Sequence, residues 1–184
     1  MQRTPDMLKQ YGIYVDVGRC VQCHACETAC KVQNDIEPGV KWRMVVDVWK
    51  GQYPAVRNRS MPYACHHCAE PACESACPTG AISKRASDGI VTVDKHRCIG
   101  CRSCQLACPF GIPQFGSDGR MQKCNLCMDR LALGREPACV ATCPAEALFF
   151  GSMEELNRLS AEKSGRKLAS ASLATPGIGS PKVA

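Results

Sequence analysis

The chain has 184 residues, 16 of them cysteine, with 5% aromatic residues and a formal net charge of +6. So few aromatics exclude a large conventional core, so something other than apolar burial must help hold the chain together. No apolar run approaches the ~18 residues that span a bilayer, and no basic run with interleaved aromatics gives the positive charge a nucleic-acid footprint.

The start, MQRTPDMLKQYGIYV, lacks an apolar h-region, a small-residue cleavage site and a twin arginine, so a secreted disulfide scaffold is not expected. Residues 11–17, YGIYVDV, predict a strand that leads into CVQCHACETAC, 20–30. The first five letters spell C-x-x-C-H, the attachment signature of a c-type haem. The eleven together spell C-x2-C-x2-C-x3-C, the iron–sulfur run of bacterial ferredoxins. Residues 41–65 alternate apolar and polar and predict a hairpin with a turn near Lys50-Gly51, in which Trp42 and Trp49 pack. Cys65, Cys68, Cys73 and Cys77 follow, then a short strand in AISK, 81–84. GIVTVD, 89–94, predicts the strand that leads into Cys98, Cys101, Cys104 and Cys108. Cys124, Cys127, Cys139 and Cys143 form the last group, with EALFFG, 146–151, as the strand after it. EELNRLSAEK, near 154–163, predicts a short surface helix, and the small, polar residues beyond it an extended tail.

The sixteen cysteines thus fall into four groups of four, with none left over. Groups one and three share their spacing, and each has an aspartate ahead of it and an arginine just before its first cysteine: DVGRC and DKHRC. Groups two and four share an ending, EPACESACP and EPACVATCP. These internal repeats point to two duplicated ferredoxin-like units. Three closely spaced cysteines wrap three corners of a cubane, and the fourth, a helical turn later, faces a neighbouring cluster. The haem reading fails because it strands Cys26 and Cys30 and because no other group carries the histidine. Paired C-x-x-C knuckles suit tetrahedral zinc, but four thiols within eleven residues do not divide into zinc tetrads. Four [4Fe-4S] clusters bring about −8 and leave a net charge near −2, so the Lys and Arg excess offsets cluster charge.

Between these groups the remaining residues invite smaller roles. His24, His66, His67 and His96 read as loop residues or modest tuners of potential. Arg19, Lys31, Arg97 and Lys123 stand beside cysteines and either raise a local potential or balance cluster charge. No paired carboxylates, nucleophile–base set or phosphate loop stands out, so the chain is not expected to catalyse a reaction by itself.

With DVGRCVQCHACETACK, CHHCAEPACESACPTGAI, CIGCRSCQLACPFGIPQF and KCNLCMDR…PACVATCPAEAL in this order, the chain resembles the iron–sulfur subunits of dimethyl-sulfoxide-reductase-type molybdoenzymes over roughly residues 10–155. The resemblance implies an α+β fold of two interlocked bacterial-ferredoxin-like units with four iron–sulfur clusters, an inserted β-hairpin and an extended C-terminal tail. The units would be residues 10–35 plus 114–152 (motifs one and four) and 59–113 (motifs two and three), with the hairpin at 36–58 and the short helix and tail at 153–184. It implies four ligand sets: Cys20, Cys23, Cys26 and Cys143; Cys30, Cys124, Cys127 and Cys139; Cys65, Cys68, Cys73 and Cys108; Cys77, Cys98, Cys101 and Cys104. It further implies electron relay between a molybdopterin (Mo or W) subunit, facing the first cluster, and an integral membrane, quinone-linked anchor, facing the fourth. The complex would lie peripheral to the cytoplasmic membrane. The side is left open between the cytoplasmic face and the periplasmic one, reached by co-export with a signal-bearing partner. Two alternatives are a subunit of a hydrogenase or formate-hydrogen system and a free polyferredoxin.

Overall fold

A computed structural model describes residues 9–174, with side chains through 171. Among the described residues its strands pair as two-stranded antiparallel ribbons, with no parallel pair. Strand β1, Tyr11–Val15, pairs with the last strand, β8, Leu148–Ser152, in the register Tyr11↔Ser152 to Val15↔Leu148. Both are rich in β-branched and aromatic residues, which fit a pleated surface, and the Tyr11 and Phe150 rings stack at 5.2 Å. A second ribbon joins β4, Ile82–Lys84, to β5, Val91–Val93. Each of these ribbons therefore pairs the strand entering one cysteine group with the strand leaving another. A fourth, unexpected ribbon joins β6, Gln114–Phe115, to β7, Met121–Gln122.

The predicted hairpin forms from β2, Arg43–Lys50, and β3, Arg57–Ala64, closed by residues 51–56 rather than by a tight turn at Lys50-Gly51. Its second strand runs past the boundary expected at 58. Trp42 is half-buried and donates from Nε1 to Gln122 at 3.1 Å, whereas Trp49 is 63% exposed on the far part of the hairpin, so only the first packs as expected.

The first five helices are short, and four of them carry cysteines. Helix α1, Ala25–Gln33, holds Cys26 and Cys30; α2, Ala72–Ser75, holds Cys73; α3, Ser103–Ala107, holds Cys104. Helix α4, Met128–Ala132, follows Cys127, and α5, Ala138–Ala141, holds Cys139. Helix α1 packs on α5, and α2 on α3. The apolar core is divided into four small clusters, every one of which includes cysteines. That division is the structural form of the shortage of aromatics in the composition.

The helix after β8 departs from the short helix expected at 154–163. Helix α6 runs Met153–Ala174. Ser152 and Glu155 open it as a capping box: the Glu155 N–H donates to Ser152 Oγ at 3.3 Å and the Ser152 N–H to the Glu155 carboxylate at 2.8 Å, which satisfies two otherwise orphaned donors. Lys163 then binds Asp16 at 2.8 Å and lies 4.2 Å over the Phe149 ring. Beyond it, Arg166, Lys167, Leu168 and the alanines are good helix formers that outweigh Gly165. The rest of the expected tail, 175–184, lies outside the described residues. Among the described residues no helix is long and apolar enough to cross a membrane.

Candidate iron–sulfur sites

All sixteen thiols are free of disulfide bonds, and their placement follows from the backbone around them. The second residue between the first two cysteines of every group, Gln22, His67, Gly100 or Leu126, has a left-handed φ between 46° and 71°. This curl turns the loop so that its own N–H faces the first cysteine. His67 N donates to Cys65 Sγ at 3.5 Å and Leu126 N to Cys124 Sγ at 3.4 Å. After the last cysteine of groups two and four the same device recurs one turn later. Gly80 and Glu146 are left-handed, and the N–H groups of Ala81 and Ala147 donate to Cys77 and Cys143 at 3.3 and 3.2 Å.

The repeats also stitch groups together across the chain. Asp16 N donates to the Ala147 carbonyl at 2.8 Å, and its counterpart Asp94 N to the Ala81 carbonyl at 2.7 Å. Arg19 pairs with Glu146 at 2.8 Å, behind Cys143. Arg97 donates to the Thr79 carbonyl at 2.7 Å, behind Cys77. Group one is thus tied to group four, and group three to group two.

In consequence, Cys20, Cys23, Cys26 and Cys143 line one small cavity. Cys77, Cys98, Cys101 and Cys104 line another. Each cavity draws three thiols from one group and the fourth from its tied partner. Cys30 lies among Cys124, Cys139 and Cys127, and Asn34 Nδ2 reaches Cys30 Sγ at 3.8 Å and Cys127 Sγ at 3.9 Å. Cys73 lies beside Cys65 and Cys108. Among the described residues no three His, Cys, Asp or Glu side chains converge on a point as ligands of one metal ion do; the thiols surround volumes instead.

Burial governs the electrostatics. It pushes the thiols of Cys26, Cys104 and Cys124 up to about 11 and that of Cys30 to about 12, with neighbouring thiols adding to the rise. Thiolates in such places need a cationic core to offset them, and an iron–sulfur core supplies it. Burial acts the same way on Cys77, but the Thr79 hydroxyl and the N–H of Ala81 hold this half-buried thiol below its ordinary value. The donor set, the N–H groups aimed at sulfur and the apolar walls fit a multi-iron cluster.

Of the residues singled out beside cysteines, Lys123 is buried and donates to the carbonyls of Val91 and Cys124. Lys31 donates to the Glu37 carbonyl at 2.9 Å, and Arg19 and Arg97 are exposed. His67 is no loop filler: it is 1% exposed, and its Nδ1 accepts from Val91 N at 3.0 Å. Burial, then the charges of Lys123 and Lys84, keep it well below its ordinary pKa and therefore neutral. Glu27 has no signal in the sequence. Its carboxylate accepts from Val45 N at 2.5 Å and from Lys41 at 2.9 Å, which fastens the hairpin base to α1. Arg43, equally unmarked, is 3% exposed in the midst of Cys139, Cys124, Cys26 and Cys30.

Comparison with known proteins agrees with this chemistry. The family described as 4Fe-4S dicluster domain matches residues 56–153, and the 4Fe-4S binding domain family matches 18–33. A chain of the anaerobic dimethyl sulfoxide reductase of Escherichia coli is 42% identical over 161 residues, covering 83% of this chain and 78% of that protein. The thiosulfate reductase electron transfer subunit of Salmonella typhi is 43% identical over 157 residues, 81% of this chain and 79% of the relative. A subunit of the sulfite dehydrogenase of Allochromatium vinosum is 36% identical over 170 residues, 80% of this chain and 71% of the relative.

Proposed function

Starting from the premise that the chain belongs to the iron–sulfur, electron-transfer subunits of dimethyl-sulfoxide-reductase-type complexes and is not itself a catalyst, we propose that it carries four [4Fe-4S] clusters. These would relay electrons between a molybdopterin catalytic subunit and a quinone-linked membrane anchor. The ligand sets are Cys20, Cys23, Cys26, Cys143; Cys30, Cys124, Cys127, Cys139; Cys65, Cys68, Cys73, Cys108; and Cys77, Cys98, Cys101, Cys104. The observation that carries the reading is that two cavities are each lined by three thiols of one motif and the fourth of another. Residues 10–35 with 114–152 would form one unit around the first two sets, and 65–113 the other, since the hairpin runs to Ala64 rather than ending at 58.

One-electron storage is the chemistry such a centre supplies when bound. The chain's own residues do the rest. The thiolates fix the positions of the four sets. Ile82, Leu126, Met121 and Leu148, all buried, keep water from them. The N–H groups of Ala81, Ala147, Leu126 and His67 donate to ligand sulfur and so favour the more negative, reduced state. Among all the cysteines only Cys23 and Cys101 are exposed. They belong to the first and fourth sets, which supports entry and exit at those two ends: the first set toward the catalytic subunit and the fourth toward the membrane, with the whole complex peripheral to it.

Elemental analysis of the complex, purified anaerobically through a tag on this chain, tests the reading. About sixteen irons per copy from four clusters, together with molybdenum or tungsten in the partner, are expected. Nickel would point to a hydrogenase, iron alone to a free polyferredoxin, and zinc without iron would overturn the cluster assignment.

A further inference from the structure

Two buried side-chain donors have no hydrogen-bond partner among the described residues, Arg43 Nη1 and His67 Nε2. For Arg43 the situation is severe, because its charge is permanent and cannot be relieved by losing a proton. No carboxylate pairs with it among the described residues. Glu27, the one acidic residue of α1, is already engaged by Lys41 and Val45 N. What surrounds the guanidinium is sulfur. Its charge acts on Cys139, Cys124, Cys26 and Cys30. Those four thiols belong to two different sets, with Cys26 in the first and Cys30, Cys124 and Cys139 in the second.

The hairpin holds it there. Arg43 is the first residue of β2, opposite Ala64 at the base of the hairpin. That base is clamped to α1 through Glu27. A buried ion without a counter-ion is strongly disfavoured, whereas one placed between anions is retained.

We propose that Arg43 is the shared counter-cation of the two clusters of the first unit, held between them by the hairpin base with Nη1 donating to a sulfur of the bound group. The proposal rests on reading the surrounding cysteines as cluster ligands. A cation shared in this way stabilises the reduced form of both clusters and raises their potentials together. The thiols that act most strongly on the guanidinium are those of the first unit, so the second unit, which it meets at the edge beside His66, is shifted less. Arg43 is therefore a positioning and tuning residue for the relay, and the hairpin that delivers it is part of the electron path as well as an insertion in the chain.

The test is potentiometric paramagnetic resonance, with iron counting, on the whole complex carrying Arg43→Met or Arg43→Lys. Arg43→Met is expected to keep its iron and to shift two of the four midpoint potentials negative by at least a tenfold change in the reduction equilibrium, 59 mV for one electron. The other two should move less, and Arg43→Lys should restore most of the shift. Four unmoved potentials in Arg43→Met, or an equal shift in all four, overturn the proposal. Should Arg43→Met fail to assemble, Arg43→Lys decides: iron retained with near-native potentials supports a counter-charge, and iron lost there too shows a packing role and refutes it. The unmodified complex separates the two levels, since absence of clusters in it overturns the ligand reading rather than the role of Arg43.

Discussion

If the fourth ligand of each cluster comes from a different motif, cysteine substitutions must be non-additive in a particular pattern. Cys77 shares a cavity with Cys98, Cys101 and Cys104 and not with the other thiols of its own group. Losing any one of these four thiolates should release one cluster, about four irons of about sixteen. Cys77→Ala and Cys98→Ala are therefore expected to leave about twelve irons each, and the double variant still about twelve, because both remove the same cluster. Cys77→Ala combined with Cys65→Ala should fall to about eight, since those residues serve two clusters. Cys108→Ala should mirror this, damaging the cluster of Cys65, Cys68 and Cys73 more than that of its own motif. Iron per chain in the anaerobically purified complex, with spin quantitation, reads all of these. Both double variants carry two substitutions, so general destabilisation affects them alike. The reverse pattern, with Cys77 and Cys65 overlapping and Cys77 and Cys98 adding, would refute the cross-motif sets.

Two further expectations concern the supports around the sites. Glu27→Ala removes the acceptor of Val45 N–H and should cost about 1–3 kcal/mol, the penalty for an orphaned buried donor, read as lost hydrogen-exchange protection at Val45. Burial alone would raise the Glu27 carboxyl, but Lys41, the Val45 N–H and His24 together hold it below its ordinary 4.5. A depressed carboxyl contributes stability that is complete above the unfolded value and is lost as pH falls through the folded one. Protection at Val45 should therefore weaken only below pH 4.5 in the native chain, and a flat profile there would contradict the clamp. Gly100→Ala places a Cβ 2.5 Å from the Gly119 carbonyl oxygen in a left-handed loop, a strain of about 1–3 kcal/mol before any clash. Iron should leave it faster under chelation than it leaves Gly111→Ala, where nothing lies within 4 Å; equal rates would show that the loop gives way.

The strands beside the motifs were legible because YGIYV, VTV and LFFGS combine β-branched or aromatic residues with repeat positions. The ties between motifs were half legible: DVGRC and DKHRC announced a shared role, but not that their arginines reach behind the last cysteine of another group. Ser152 and Glu155 spell the start of α6 openly, whereas its end does not stand out, since serines and Gly165 read as tail when summed without their alanine neighbours. Arg43 was hidden for a different reason. In KWRMVV it looks like a solvated cation of an amphipathic strand, while Val46 and Val48, apolar, lie exposed. Its place depends on anionic sites contributed by α1, α5 and the loop at Cys124, none of which is local to it. Buried charge is specified by what surrounds it, and a linear pattern holds no record of that.

The pairing of β1 with β8 also has a consequence in time. On the proposed ligand sets the first unit needs Cys143 beside Cys20, so about 120 further residues must be made after its first ligand emerges, some 6–25 s at ~5–20 residues per second. Residues 65–108 hold all eight proposed ligands of the second unit, which, with Phe115 and Met121 packed against the fourth set, can close earlier, nested inside the open first. The growing chain thus passes through a stage with one finished half and a set of bare, buried-to-be thiols waiting for its last strand. Iron delivered at that stage meets incomplete sets, and anything that shields those thiols from oxygen until synthesis ends governs the yield of the whole protein.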